Sequence, residues 1–134
     1  MFRNEKITSF ESLVLKTSGM RSCSAFEVKP KDGEAEISEK RLVCLEGGGT
    51  DYVPVKTVKR STEEILELLN KCELLKWNGF HGSHPRGVKD GIMFDLYAEV
   101  NGGERISADG SQNFPKHYHE LADWLYRALY SSEN

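Results

Sequence analysis

From Ile92 to Val100, an apolar residue stands at every second position. Ile92, Phe94, Leu96, Ala98 and Val100 fall on one parity, and Met93, Asp95, Tyr97 and Glu99 on the other. A period of two gives each set its own face of a β-strand and does not fit the 3.6-residue period of a helix. After Asn101-Gly102-Gly103 the apolar parity resumes at Ile106 and Ala108. The two runs predict a hairpin, and the pattern also selects its loop. A two-residue loop would turn Ile106 toward the polar face. A three-residue loop sets Ala98 across from Ile106 and Leu96 across from Ala108, with a glycine in the left-handed position.

Earlier strands read with similar logic. Residues 6–17 are rich in β-branched and aromatic types and end at Ser18-Gly19. Ile7, Leu13 and Leu15 share one parity while Phe10 and Val14 share the other. Either both faces are partly covered or a bulge lies near Glu11. Residues 23–30 and 34–39 predict a hairpin around Asp32-Gly33, a pair suited to the positive φ angles of a type I′ turn. That turn sets Val28 opposite Ile37 and Pro30 opposite Ala35. The second arm runs on through Leu42-Val43-Cys44-Leu45 until Gly47-Gly48-Gly49 interrupts it. Tyr52 to Val58 predicts another short strand, and Pro54, which has no N–H to donate, points to an edge position.

Ser61 with Glu64 forms a capping-box signature, and Ile65, Leu68, Leu69, Cys72 and Leu75 follow at helical spacing. Leu74 falls off that stripe, so the helix is expected to end near Cys72 or Glu73, with Leu74 and Trp77 turned inward. A last helix is expected to start at Pro115. Its apolar stripe is Tyr118, Leu121, Ala122, Leu125, Ala128 and Leu129, with Asp123 and Arg127 opposite. The order β-β-β-β-α-β-β-α predicts one α+β domain over residues 1–134. Its expected architecture is one antiparallel sheet of about five strands, with both helices packed on one face.

Charge and composition exclude several roles. A net charge of −3 argues against nucleic acid, which wants a clustered basic surface. The one short basic group, Lys56, Lys59 and Arg60, runs straight into Glu63 and Glu64. No apolar run approaches the ~20 residues of a membrane span. The first residues carry no apolar h-region, so a cytoplasmic protein is expected, with no membrane association. Cys23, Cys44 and Cys72 form no CxxC pair and read as reduced, small core residues. Glu46-Gly-Gly-Gly-Thr-Asp51 lacks the Lys-Ser/Thr of a phosphate loop, and no GxSxG elbow occurs. No cofactor is expected.

Between Trp77 and Gly91 four glycines and Pro85 break up the chain, and a loop of that length in a small domain suggests function or mobility. Trp77 and Phe80 are expected to anchor one end in the core, with Ile92 starting a buried strand at the other. The exposed middle offers His81, His84, Arg86, Lys89 and Asp90 as binding residues. Arg86 leads, because its planar fork grips a carboxylate with two parallel bonds. His81 and His84 could close on a metal only with further ligands, which the sequence does not nominate. His117 and His119, two apart on a predicted helix, would point in different directions. No metal site and no catalytic set are therefore expected.

From residue 62 to 129 the motifs also resemble those of a family of short bacterial proteins of unknown function. A Glu/Leu-rich helix leads to Leu74-x-x-Trp77-x-Gly79-Phe80, then Asp90-Gly91, an alternating strand, a glycine turn, and Gly110-x-x-x-x-Pro115 before a final helix. The resemblance covers half the chain and implies a bacterial origin and an α+β domain; it brings no activity or catalytic residues. Two functions compete. The favoured one is a non-enzymatic protein-interaction or accessory module of the immunity type, with another protein as partner. The alternative is a small-molecule-binding or metal-dependent enzyme using the loop histidines. A weak homodimer is also expected, from the apolar residues on both parities of the first strand.

Overall fold

A computed structural model describes residues 6–19, 23–87 and 91–130. Its strands are β1 (Phe10–Ser18), β2 (Cys23–Lys31), β3 (Glu34–Cys44), β4 (Thr50–Ser61), β5 (His81–Gly82), β6 (Met93–Val100) and β7 (Glu104–Ser111). Helix α1 (Thr62–Lys71) follows β4, a 3₁₀ turn (Leu74–Trp77) precedes β5, and helix α2 (Tyr118–Tyr130) follows β7. The strands form one seven-stranded sheet in the order β4-β3-β2-β1-β6-β7-β5. The chain is α+β as expected, but a sheet of about five antiparallel strands understates it. The unforeseen strand is β5, two residues long and parallel to β7, lying between the helix and the last hairpin. Its Gly-Pro-rich surroundings carry no period from which a strand could be read.

Both hairpins have the registers that alternation selects. Ala98 faces Ile106 and Leu96 faces Ala108 across Asn101-Gly102-Gly103. Val28 faces Ile37 and Pro30 faces Ala35 around Asp32 and Gly33, whose φ angles are +53° and +82°. In β1 the register shifts between Phe10 and Ser12, so Glu11 is the extra residue of a bulge. The bulge returns Phe10 to the face of Leu13 and Leu15, which explains the broken parity. That face meets the apolar stripes of both helices in a single core of Leu13, Leu15, Val28, Ile37, Leu96 and Ile106 with Ile65, Leu69, Leu121 and Leu125.

The first strand, on which the expected homodimer rested, lies inside the sheet between β2 and β6. The long edge strand is β4, and it is blunted. Pro54 has no N–H, the Tyr52 N–H donates to the Asp51 carboxylate at 2.9 Å, and the register with β3 slips between Glu39 and Lys40. Among the cysteines only Cys72 is a core residue; Cys23 is half-buried and Cys44 exposed. Burial pushes the Cys72 thiol up to about 11, with a smaller contribution from the Glu120 charge, so it is held as an unreactive thiol.

Two asparagines fasten the segment before β1. Asn70 of α1 accepts from the Ile7 N–H at 2.8 Å and donates to the Ile7 carbonyl at 2.9 Å, standing in for a neighbouring strand. Asn101, at the turn of the last hairpin, accepts from the Thr8 N–H at 2.7 Å and donates to the Lys6 carbonyl at 3.1 Å. Ile7 is thereby buried beside α1. No helix among the described residues is long and apolar enough to cross a membrane.

Candidate functional site

The stretch after α1 is fastened along the outer edge of β7. The capping box at Ser61 and Glu64 starts α1, and Glu73, at φ +56°, ends it by reversing the chain. Leu74 and Trp77 then turn inward as expected, and the Trp77 indole donates to the Cys72 carbonyl at 3.2 Å. From here the backbone pairs with β7. The Gly79 N–H donates to the Ser107 carbonyl at 2.8 Å, the Ser107 N–H to the Asn78 side chain at 2.9 Å, and the Asp109 N–H to the Phe80 carbonyl at 3.0 Å. His81 and Gly82 continue as β5, opposite Asp109 and Gly110.

This close pairing depends on missing side chains. A Cβ on Gly82 would lie 2.4 Å from the Asn113 carbonyl oxygen, and one on Gly110 would lie 2.2 Å from it. Asn113 folds back over both glycines and donates from its amide to the Ser83 carbonyl at 3.2 Å. Gly110 is therefore not a turn glycine. Strand β7 runs through it to Ser111.

On the other face of the pair, side chains meet. His81 Nδ1 lies 2.5 Å from the Asp109 carboxylate, which accepts from it. His84 Nδ1 lies 2.7 Å from the Ser111 hydroxyl. With Ser83, Met93 and Asp95 these groups line a cavity of about 300 Å³. Each bond fixes an imidazole through one ring nitrogen, so the rings are oriented by the sheet rather than left to sample rotamers.

Of the expected binding residues, His81 and His84 come together here. Arg86 is exposed in the following turn, where Gly87 takes φ +85°. Lys89 and Asp90 lie outside the described residues. The far end is held by backbone and not by burial: Ile92 is 48% exposed and precedes β6. Its N–H donates to the Gln112 side chain and its carbonyl accepts from the Gln112 N–H, both at 2.8 Å. Sequence reasoning missed Asp95, Asp109 and Ser111. Their common signal is that all three fall on the second parity of the last hairpin, opposite its apolar face.

The remaining histidines stand apart. His117 has φ +71°, so α2 begins at Tyr118 and not at Pro115. Its Nδ1 lies 3.0 Å from Glu120, whose carboxyl is held below its ordinary range by hydrogen bonds from Lys71 and then His117. His119 packs its ring edge against Phe114 and Tyr118. Among the described residues, no three His, Cys, Asp or Glu side chains gather as a metal-binding set. No family model, curated protein or solved structure matches this chain.

Proposed function

We propose that this chain is a non-enzymatic interaction module, an accessory domain of the immunity type, and that it binds another protein through the segment from His81 to Gly87. The observation that supports this reading is the way the segment is mounted. Pairing with β7 holds its first residues, and His81 and His84 are oriented by Asp109 and Ser111. A binding residue carried on a fixed scaffold loses little conformational freedom when a partner docks. Arg86 stands in the exposed turn just after these fixed residues, and its guanidinium can bond a partner carboxylate with two parallel bonds.

Arg86→Ala should weaken capture of the native partner by about tenfold or more, the loss typical of an arginine at an interface centre. Its folding stability should stay within about 0.5 kcal/mol of wild type, as for other exposed positions. Equal binding by the variant would remove this segment from the interface.

A further inference from the structure

Where the 3₁₀ turn passes the approach to α2, the surface opens into a cavity of about 340 Å³. Trp77 and Phe80 line it from the turn and its exit, Phe114 and Pro115 from the approach to α2. Trp77 and Pro115 are buried, but Phe80 and Phe114 keep part of their surface exposed while packing on the core. Both half-buried rings rest on Phe94, with centroids 6.3 Å and 5.5 Å from its own. The walls are pinned. The Phe80 N–H donates to the Trp77 carbonyl at 2.9 Å, its carbonyl accepts from the Asp109 N–H, and Phe114 stacks on Tyr118 at 4.4 Å. Walls fixed in this way leave aromatic surface in water that close packing would cover. Charge on the rim is unbalanced as well: it carries Lys76 and Lys116 against the single carboxylate of Glu73. One Glu73 oxygen is engaged by Lys76 at 3.7 Å, and the other lies 3.9 Å from His117 Nε2. Lys116 is exposed, and among the described residues it has no ion pair.

We infer that this cavity binds a small aromatic carboxylate, its ring against Phe80 and Phe114 and its carboxylate on the Lys116 ammonium. Ligand cavities commonly measure about 300–1,000 Å³, are largely preformed, and combine an apolar, aromatic lining with a few polar groups that set orientation. This cavity has that size, that lining and one charged group whose charge the chain does not use. A planar ring gains offset or edge contacts with both phenyl groups. A carboxylate accepts a charge-assisted bond from an ammonium, and a neutral headgroup makes only a weaker one. A cationic ligand would meet two ammonium groups on the same rim. Because the walls are already fixed, little ordering of the chain opposes binding.

The site stands apart from the partner-binding reading, since none of its charged groups belongs to the segment from His81 to Gly87. The intact chain is titrated with 2-naphthoate and with its uncharged counterpart 2-naphthamide, followed by backbone amide and indole chemical shifts. 2-Naphthoate should shift the Trp77 indole and the Phe80 and Phe114 amides. It should bind about tenfold more tightly than the amide compound, the difference expected of one charge-assisted bond. Lys116→Gln should erase that preference and Lys116→Arg should keep it; at an exposed position both variants should fold as wild type does. The inference is overturned by equal binding of the two compounds, by an absence of shifts with 2-naphthoate, or by shifts confined to another surface. A preference that survives intact in Lys116→Gln overturns it too.

Discussion

Trp77→Ala is expected to cost about 3–5 kcal/mol, the range for truncating a large buried aromatic, out of a total stability of about 5–15 kcal/mol. Trp77 is 2% exposed and sits where α1 gives way to the segment along β7. Three losses coincide there. The ring leaves a cavity beside Tyr118, whose ring centroid is 6.2 Å away. The Cys72 carbonyl loses the indole donor at the C-terminal end of α1. The 3₁₀ turn loses the side chain that holds it against the core, so the start of the β7 pairing is loosened as well. Urea unfolding would read this as a lower midpoint at unchanged slope. A cost below about 1 kcal/mol would mean that the site collapses around the gap and that Trp77 is not the anchor.

The second large effect belongs to a residue with no side chain. In Gly110→Ala the added Cβ would stand 2.2 Å from the Asn113 carbonyl oxygen and 2.8 Å from Cε1 of Phe94. Neither neighbour can swing aside. One is backbone, and the other is a buried ring 4.8 Å from the ring of Tyr118 and 5.5 Å from that of Phe114. Overpacking of this kind costs about 1–3 kcal/mol and is relieved by moving backbone. The cheapest movement lifts Asn113 away, which breaks its bond to the Ser83 carbonyl and loosens β5. Gly110→Ala should therefore unfold more easily and also lose amide protection at Asp109, whose N–H donates to the Phe80 carbonyl. A substitution costing less than about 0.5 kcal/mol would show that the Asn113 wedge adapts freely.

What was legible in the sequence was what neighbouring residues decide. Asp32-Gly33 and Asn101-Gly102-Gly103 are local turn chemistry, and alternation on either side leaves one register that keeps the apolar residues together. The bulge at Glu11 left its trace in the broken parity of Phe10 and Leu13. Ser61 and Glu64 announced α1, and Leu74, out of phase with the stripe, announced its end. The illegible features join residues far apart. His81 meets Asp109 across 28 positions and His84 meets Ser111 across 27. A parallel pairing two residues long brings them together, and it has no sequence period. Gly82 and Gly110 look like breakers, yet they are there because Asn113 passes too close for a side chain. Ile92 continues the apolar parity of β6 but lies beyond the sheet's covered area, so period alone overstated its burial.

The central claim is that the segment from Gly79 to Ser83 is a fixed ledge on β7 and not a mobile connection. Backbone ¹⁵N relaxation on the intact chain tests it most directly. Gly79, Phe80, His81, Gly82 and Ser83 should have order parameters near 0.85, the value of rigid backbone and equal to those of β6, roughly as in any packed sheet. Values below about 0.6 across those residues would contradict the account, because a segment moving that freely could not hold His81 and His84 for a partner.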